Sequence, residues 1–439
     1  MPFRIALSGL NAASADLEVT GNNIANASTN GFKSSRAEFA DVYATSLAGV
    51  SNTAIGGGVR LAGVAQQFAQ GNVEFTNNSL DLAINGEGFF VLSDGGSNVY
   101  SRAGAYSVDR NGYVVNSSGQ RLQVFSPING SSTAFNTGSL NDLRIQLTEG
   151  APNATTEVEL GINLDAGDAS ADTGSVFPAV DPNFFDPNDA TTYNYSTSYT
   201  VYDSLGAEHT STMYFLRDAT AGSTTWYSWL YADDGAGNMA LVQQDGADYS
   251  TLQFSSSGAL TAVNGVAGTT TAASGPLVLA NGAAALNMTL DYAEMTQYGG
   301  GVSSEDGAAY SVNSLFQDGY TTGRLTGLEV GDTGVVSARY TNGQSAALGK
   351  VAVASFPNTQ GLRQLGDTNW AETFASGNVL IGEAGTASFG MIQSGALEAS
   401  NVDLSEQLIN LITAQRNYQA NSQVISTADT VTQTIINIR

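Results

Sequence analysis

Apolar side chains at the start of the chain recur on one 3-4-3-4 stripe, Phe3, Leu7, Leu10, Leu17 and Ile24, with the small residues Ser14 and Gly21 filling its two gaps. Leu404, Leu408, Leu411, Tyr418, Ile425, Ala428, Val431, Ile435 and Ile438 repeat that spacing at the other end. The pattern predicts a helix at each terminus. The first begins near Pro2, a good first-turn residue, and ends near Asn30-Gly31, where glycine can take the left-handed cap. The second opens on Asp403-Leu404-Ser405-Glu406, which reads as a capping box, and runs for roughly 35 residues, on the order of 50 Å at 1.5 Å per residue. So long a stripe cannot be buried on a small β domain alone. It predicts a coiled-coil-like helical layer shared between subunits, with both ends poorly ordered until other copies are met.

Between the ends the period changes to that of strands. The stretch 31–71 is rich in Ser, Gly and Ala around Gly56, Gly57 and Gly58, and reads as an extended, flexible connector able to hold a hairpin. From Asn72 onward, apolar runs alternate with hairpin-type turns such as Asn85-Gly86, Asn111-Gly112 and Asn342-Gly343. If the two terminal helices pair, each layer of the chain is entered twice. The expected fold is therefore mixed and mostly β, a nested multidomain chain. A terminal helical domain spans 1–30 and 395–439, an inner β domain spans 72–145 and 313–394, and an outer β domain is inserted at 146–312.

Composition narrows the partners. The formal charge is -25, from 40 acidic against 15 basic residues, and residues 1 to 71 are balanced, so the acid sits mainly in the middle. No basic stripe is present to replace phosphate counterions, which argues against nucleic acid and against anionic membrane surfaces. No segment is long and apolar enough to span a bilayer. The first residues are amphipathic rather than an apolar run after positive charge, so if the protein leaves the cell, a route without a cleaved signal peptide is expected to take it. Cysteine is absent, which removes disulfides, thiolate metal sites and thiol nucleophiles together.

Candidate chemistry is sparse. The single histidine, His209, sits in a polar stretch and reads as an exposed bystander. Gly343 to Lys350 resembles a phosphate loop, but the glycines are spaced one residue too far apart and Val351 replaces the metal-binding hydroxyl. Asp165, Asp168 and Asp172, like Asp181, Asp186 and Asp189, lack the alternating ligand pattern of a calcium loop and read as solvated acidic loops. No catalytic residue, metal ligand or cofactor is expected, and the chain reads as a non-enzyme.

Two segments carry a resemblance. Ala6-Leu7-Ser8-Gly9-Leu10-Asn11-Ala12, Val19 to Asn26 and Thr29-Asn30-Gly31-Phe32-Lys33 are similar to the N-terminal signature of bacterial flagellar rod, hook and hook-associated axial proteins. Leu397 to Leu404 and Ala414 to Asn421 resemble that family's C-terminal signature. Asp318-Gly319-Tyr320, Tyr340 to Gln344 and Leu348-Gly349-Lys350 are similar to its hook members. The resemblance implies a structural subunit that polymerises into a curved, flexible tube, a universal joint passing torque from rod to filament. The alternatives are a distal rod or hook-associated junction protein and, further off, a secreted acidic β-rich enzyme. It implies contacts with other copies of the chain, the distal rod protein, the hook cap, the hook-filament junction proteins and a type III export apparatus, at an extracellular flagellum. It further implies an assembly interface of Phe3, Leu7, Leu10, Leu17, Ile24, Leu404, Leu408, Leu411, Tyr418, Ile425, Val431 and Ile435, with Gly56, Gly57 and Gly58 as the compliant link.

Overall fold

Helices form at the two ends, where the apolar period is that of a helix, and strands fill the chain between them. The computed structural model describes residues 2–42, 56–128, 131–145, 149–168, 185–218, 223–299, 310–386 and 389–437, with Pro2, Ile435 and Asn437 described by backbone alone. Helix α1 spans Pro2–Ala25 and helix α2 spans Leu404–Asn437. The first helix ends short of the expected Asn30-Gly31. Asn26 donates its side-chain amide to the Asn22 carbonyl at 2.9 Å, and the chain leaves the helix through turns closed by Ala27 on Ile24 and Thr29 on Asn26. An asparagine bonding back in this way offers the backbone an alternative to the helix ladder. At α2 the Asp403 carboxylate accepts from the amides of Ser405 at 2.8 Å and Glu406 at 3.2 Å, satisfying two of the free donors of the first turn.

The chain divides into two units. The first holds residues 1–147, 326–339 and 345–439. After α1, strand Ser35–Asp41 pairs antiparallel with Val59–Gln66, with an irregularity between Glu38 and Phe39, so the connector stretch carries a hairpin. The main sheet runs in the order Leu325–Val330, Val335–Tyr340, Ser345–Ser355, Arg121–Pro127, Phe89–Asp94, Ser97–Ser101, Asn369–Ala371, Arg363–Gly366. Its core gathers Phe89, Val91, Tyr100, Phe125, Ala352, Ala354, Phe356 and Trp370. The aromatic rings meet edge to face, with Phe89 and Trp370 centroids 5.7 Å apart and Tyr100 and Phe356 4.8 Å apart. Trp370 donates its indole N–H to Gln66 at 2.8 Å, which pins the end of the hairpin to this core.

The second unit holds residues 148–325 and 340–344. One sheet orders Tyr195–Tyr202, Glu208–Arg217, Thr225–Asp233, Ser250–Phe254, Leu260–Val263 and Val266–Ala267. A second sheet is built on Glu157–Asp165, parallel to Thr289–Asp291 and Thr296–Tyr298 and antiparallel to Ser311–Gln317. Val158, Leu160, Ile162 and Leu164 from the second meet Val201, Met213, Phe215, Trp226 and Leu230 from the first in one buried cluster. The expectation that residues from 313 onward return to the inner β domain is corrected here. Ser311–Gln317 completes the sheet of the second unit, because its partner strand Glu157–Asp165 offers it the unpaired edge, and the return falls after Leu325.

His209 also departs from expectation: it is 3% exposed, with Nε2 3.1 Å from the fully buried Asp203 carboxylate. Asp203 closes its own turn by accepting from the amides of Leu205 at 2.8 Å and Ala207 at 2.9 Å, and Asn281 donates to its other oxygen. Burial pushes this carboxyl up, but the hydrogen bonds from Asn281, His209, Ala207 and Leu205 outweigh it and hold it at about 2, below the ordinary 3.8. A depressed carboxyl stabilises the fold fully above its unfolded value and loses that contribution as pH falls toward its folded value. Acid unfolding of this unit should therefore lose about 2 kcal/mol between pH 4 and pH 2. Asp203→Asn should be less stable than wild type at pH 7 and should lack that acid-dependent component; parallel acid titrations of the two would contradict the assignment.

Candidate assembly interface

The helix pair is antiparallel, and small or polar residues set its spacing. A Cβ built on Gly9 of α1 would lie 2.5 Å from the Asn421 Oδ1 of α2, and further along, Asn23 donates its side-chain amide to Gln407 at 3.1 Å. Asn23 also donates to the Ser35 carbonyl and accepts from the Ser35 amide, both at 2.8 Å, so one side chain ties α1, α2 and the start of the hairpin together. The buried positions of α1 are Ala6, Ala13, Thr20 and Asn23, and the fully buried residue of α2 is Ala414. Gln407, Leu411, Asn421, Ile425 and Ala428 lie half-buried along the same face of α2. The hairpin meets α1 as closely: a Cβ on Gly58, whose φ is +105°, would sit 2.2 Å from Ser8 Oγ, and Ser8 Oγ accepts from the Val59 amide at 3.2 Å. Gly57 lies in the same turn, its amide bonded to the Val42 carbonyl, and Gly56 is exposed.

The long apolar side chains fall elsewhere. Of the stripe read from the sequence, Leu10, Leu17, Ile24, Leu411 and Ile425 are half-buried, whereas Phe3, Leu7, Leu404, Leu408, Tyr418 and Val431 are exposed. The Ile435 side chain lies outside the described residues, as does Ile438. The stripe missed Ile5, Ile409, Ile412, Val424 and Ile436, which are exposed too. At 100° per residue, Leu404, Leu408 and Ile412 lie on one side of the inward face of α2, and Val424 and Val431 lie on the other. Phe3 and Val424, Thr427, Ala428 and Val431 line an open apolar groove where α2 runs alongside the start of α1. One flank thus presents leucine and isoleucine to the outside and the other valine, side chains that stay exposed in the single chain.

Beneath the helices lies a buried ion cluster. Glu398, in the strand Ala396–Glu398 just ahead of α2, is fully buried and accepts from Lys33 Nζ at 2.6 Å and from Arg102 Nη1 at 3.1 Å. The Gly71 amide donates to the same carboxylate at 2.9 Å, and the Gly31 amide to the Glu398 carbonyl at 2.7 Å. Lys33 also donates to the Ala69 carbonyl at 2.9 Å and Arg102 to the Gly86 carbonyl at 2.8 Å. Desolvation pulls both cations below their usual values, and the Glu398 carboxylate acts against it. Three residues on, Asn401 accepts from the Ser34 amide at 2.7 Å and donates to the Gln67 carbonyl at 2.7 Å. The two ends that carry the quoted signatures therefore meet here.

The remaining candidates are local. Asp168 accepts from the Tyr195 hydroxyl, and Asp189 accepts from the Thr191 amide and hydroxyl. Asp186 accepts from the Asn188 amide at 2.9 Å. Asp172 and Asp181 lie outside the described residues. Among the described residues no helix is long and apolar enough to cross a membrane, and no three carboxylates or histidines group as metal ligands.

Comparison with known proteins places these features. Residues 3–33 match the flagella basal body rod protein model, 83–164 the flagellar hook protein FlgE/F/G D1 domain, 163–320 the flagellar basal body protein FlaE D2 domain, and 393–438 the flagellar basal body rod FlgEFG protein C-terminal model. The flagellar hook protein FlgE of Escherichia coli K12 is 38% identical over 441 residues, covering 100% of both chains. FlgE of Salmonella typhimurium is 37% identical over 441 residues with the same coverage, and FlgE of Borreliella burgdorferi is 30% identical over 456 residues, covering 99% of this chain and 98% of that one. The crystal structure of Helicobacter pylori flagellar hook protein FlgE2 shares the fold at a TM-score of 0.52 and 16% identity, covering 74% of this chain and 100% of that one.

The seam makes a prediction of its own. Gly9→Leu forces a side chain into the space held by Asn421 and should lower the helical melting transition, and Asn421→Ala in that background should recover part of the loss. The coupling between the two sites, read from a double-mutant cycle of circular dichroism melts, should lie in the range of about 0.5–3 kcal/mol. Strictly additive effects would show that the two residues do not set the helix spacing.

Proposed function

The chain belongs to the flagellar hook protein family, and from that premise we propose that its helix pair is the assembly code of the hook and its buried ion cluster the joint beneath it. The protein is a structural subunit of the flagellar hook, not an enzyme, and it associates with itself and with other flagellar components. In the proposed arrangement the α1–α2 pairs of many copies form the inner wall of a tube. Leu404, Leu408 and Ile412 of one copy cover the Val424 and Val431 flank of another, with Phe3, Leu7 and Tyr418 at the same seams. Leu10, Leu17, Ile24, Leu411 and Ile425 hold the pair itself together. The carrying observation is that both flanks of α2 expose aliphatic residues in the single chain, whereas Leu411, Ala414 and Ile425 on its inward face are half-buried or buried.

The rest of the reading follows from this placement. Gly56, Gly57 and Gly58 at the hairpin turn serve as the compliant link beside α1. The terminal helical domain forms the wall of the tube. The rod-side, cap and filament-junction proteins are the partners at its two ends, and the chain reaches the extracellular flagellum through a type III apparatus without a cleaved signal peptide.

Charge placed on a flank tests the arrangement. Leu408→Asp and Ile412→Asp alter side chains that are exposed in the single chain, so the monomer should melt as wild type does. Their burial between copies would strand an ion in an apolar seam, and the critical concentration for assembly should rise by at least about 100-fold, read by sedimentation. Tubes of wild-type length from both variants would refute the seam. Residues 148–325 carry 21 acidic and 2 basic side chains, so assembly should also strengthen with added salt, which at about 0.15 M screens charge beyond roughly 8 Å. Polymerisation indifferent to salt would place that charge away from the contacts between copies.

A further inference from the structure

We infer that Glu398 is the keystone of a buried electrostatic latch, which makes docking of both chain ends on the inner β sheet a single all-or-none event. Four segments distant in sequence converge on this residue. Gly31 and Lys33 follow α1, Gly71 closes the hairpin segment, Arg102 follows a strand of the sheet, and Glu398 itself precedes α2. The carboxylate and the Lys33 side chain are 0% exposed and the Arg102 side chain is 5% exposed. Two cations share one buried carboxylate here, Glu87 adds a further negative charge near Arg102, and the remaining donors are taken up by the carbonyls of Ala69, Ile84 and Gly86. Withdrawing Glu398 strands Lys33 and Arg102 away from water, and withdrawing either cation takes a charge-assisted hydrogen bond from the buried carboxylate; a stranded buried charge costs far more than a lost surface pair.

The backbones of these segments also approach one another closely. A Cβ on Gly71 would lie 2.0 Å from the Ala399 carbonyl oxygen, and one on Gly31, with φ of +70°, would lie 2.4 Å from the Ala103 amide nitrogen. The same segments are laced a second time by Asn401 to Ser34, Gln67 and Ala69, and by the pairing of Val73–Phe75 with Ala396–Glu398. Hydrophobic packing alone could let α1 or α2 lift separately. The Glu398 carboxylate, just ahead of α2, cannot leave without releasing Lys33, Gly71 and Arg102 together. The latch thus joins the helix pair to the sheet as one body, so that force applied to the helices reaches the sheet through fixed ion contacts.

Native-state hydrogen exchange on the full-length, non-polymerised protein tests this. The latch requires that amides of residues 31–34, 69–72 and 398–401 and of the first turns of α2 open together in wild type, with one common protection. Glu398→Gln should speed all of them by about 100- to 1,000-fold, leaving the central strand Phe89–Asp94 unchanged. Should that variant fail to fold, Lys33→Met leaves a balanced Arg102–Glu398 pair and should still speed exchange in α2, which Lys33 does not hydrogen-bond. Unequal protection in wild type, acceleration confined to the residues touching the altered side chain, or equal loss across the central strand would each overturn the latch. The readout is made on single chains, so it stands or falls independently of the tube seam.

Discussion

Everything at the ends of this chain depends on how closely α1 and α2 approach each other. Ala6, Ala13, Thr20 and Asn23 on one side and Ala414 and Asn421 on the other bring the two backbones together, with the half-buried Leu10, Leu17, Ile24, Leu411 and Ile425 beside them. Asn23–Gln407 and the close approach of Gly9 to Asn421 add register to that packing. Burial of apolar area scales at about 25 cal/mol per Å², so in the proposed tube the large gain would come from the leucine, isoleucine and valine side chains that stay exposed in the single chain.

The ion cluster applies the opposite strategy a few residues away. There the contacts are dry, short and charged, and they join segments that a short seam could not hold. A buried ion network contributes less net stability than an apolar core of the same volume, but it tolerates few alternative geometries. Geometry is what the joint between helix and sheet requires. The aromatic core of Phe89, Phe356 and Trp370 lies close by, with the Arg102 guanidinium 5.6 Å from the Phe89 ring centre, so the charged joint is backed by rigid packing.

The sequence made the helices and the strand-rich middle legible because their periods differ, 3.6 against 2. The flagellar family was legible from the two terminal signatures. The true contact face of the helices was not, because alanine, threonine, glycine and asparagine carry little hydropathy signal; the seven-residue spacing of Ala6, Ala13 and Thr20 was the available clue. Leu10, Leu17, Leu411 and Ile425 belong to the stripe and lie half-buried, but Leu404, Leu408 and Val431 belong to it equally and are exposed, so the stripe mixed two surfaces. The early end of α1 was hidden in the Asn22–Asn26 side-chain bond, a local competition that periodicity does not register. His209 was misjudged for a related reason. Its environment is made by the turn that begins at Asp203, and the polar residues of that turn are polar because they bond to one another, not because they face water. Lys33 gave one hint of the joint, since a chain with only two lysines keeps both in ion pairs, Lys33 with Glu398 and Lys350 with Glu383.

Charge and apolar surface are segregated along the chain in a way that shapes the mechanics. Residues 1 to 71 are electrically balanced and include exposed aliphatic residues on α1 and the hairpin, whereas residues 148–325 concentrate the acid with almost no base. Attraction through apolar burial acts only at contact, while repulsion between like-charged surfaces reaches about a Debye length. A polymer of such chains would be held at its helices by short, stiff contacts and pushed apart at its acidic domains by a longer, softer force. Bending then works mainly against the soft term, and twisting works against the stiff one. A tube of this kind would yield in curvature before it yields in torsion, with the proposed Gly56, Gly57 and Gly58 link adding to the soft term.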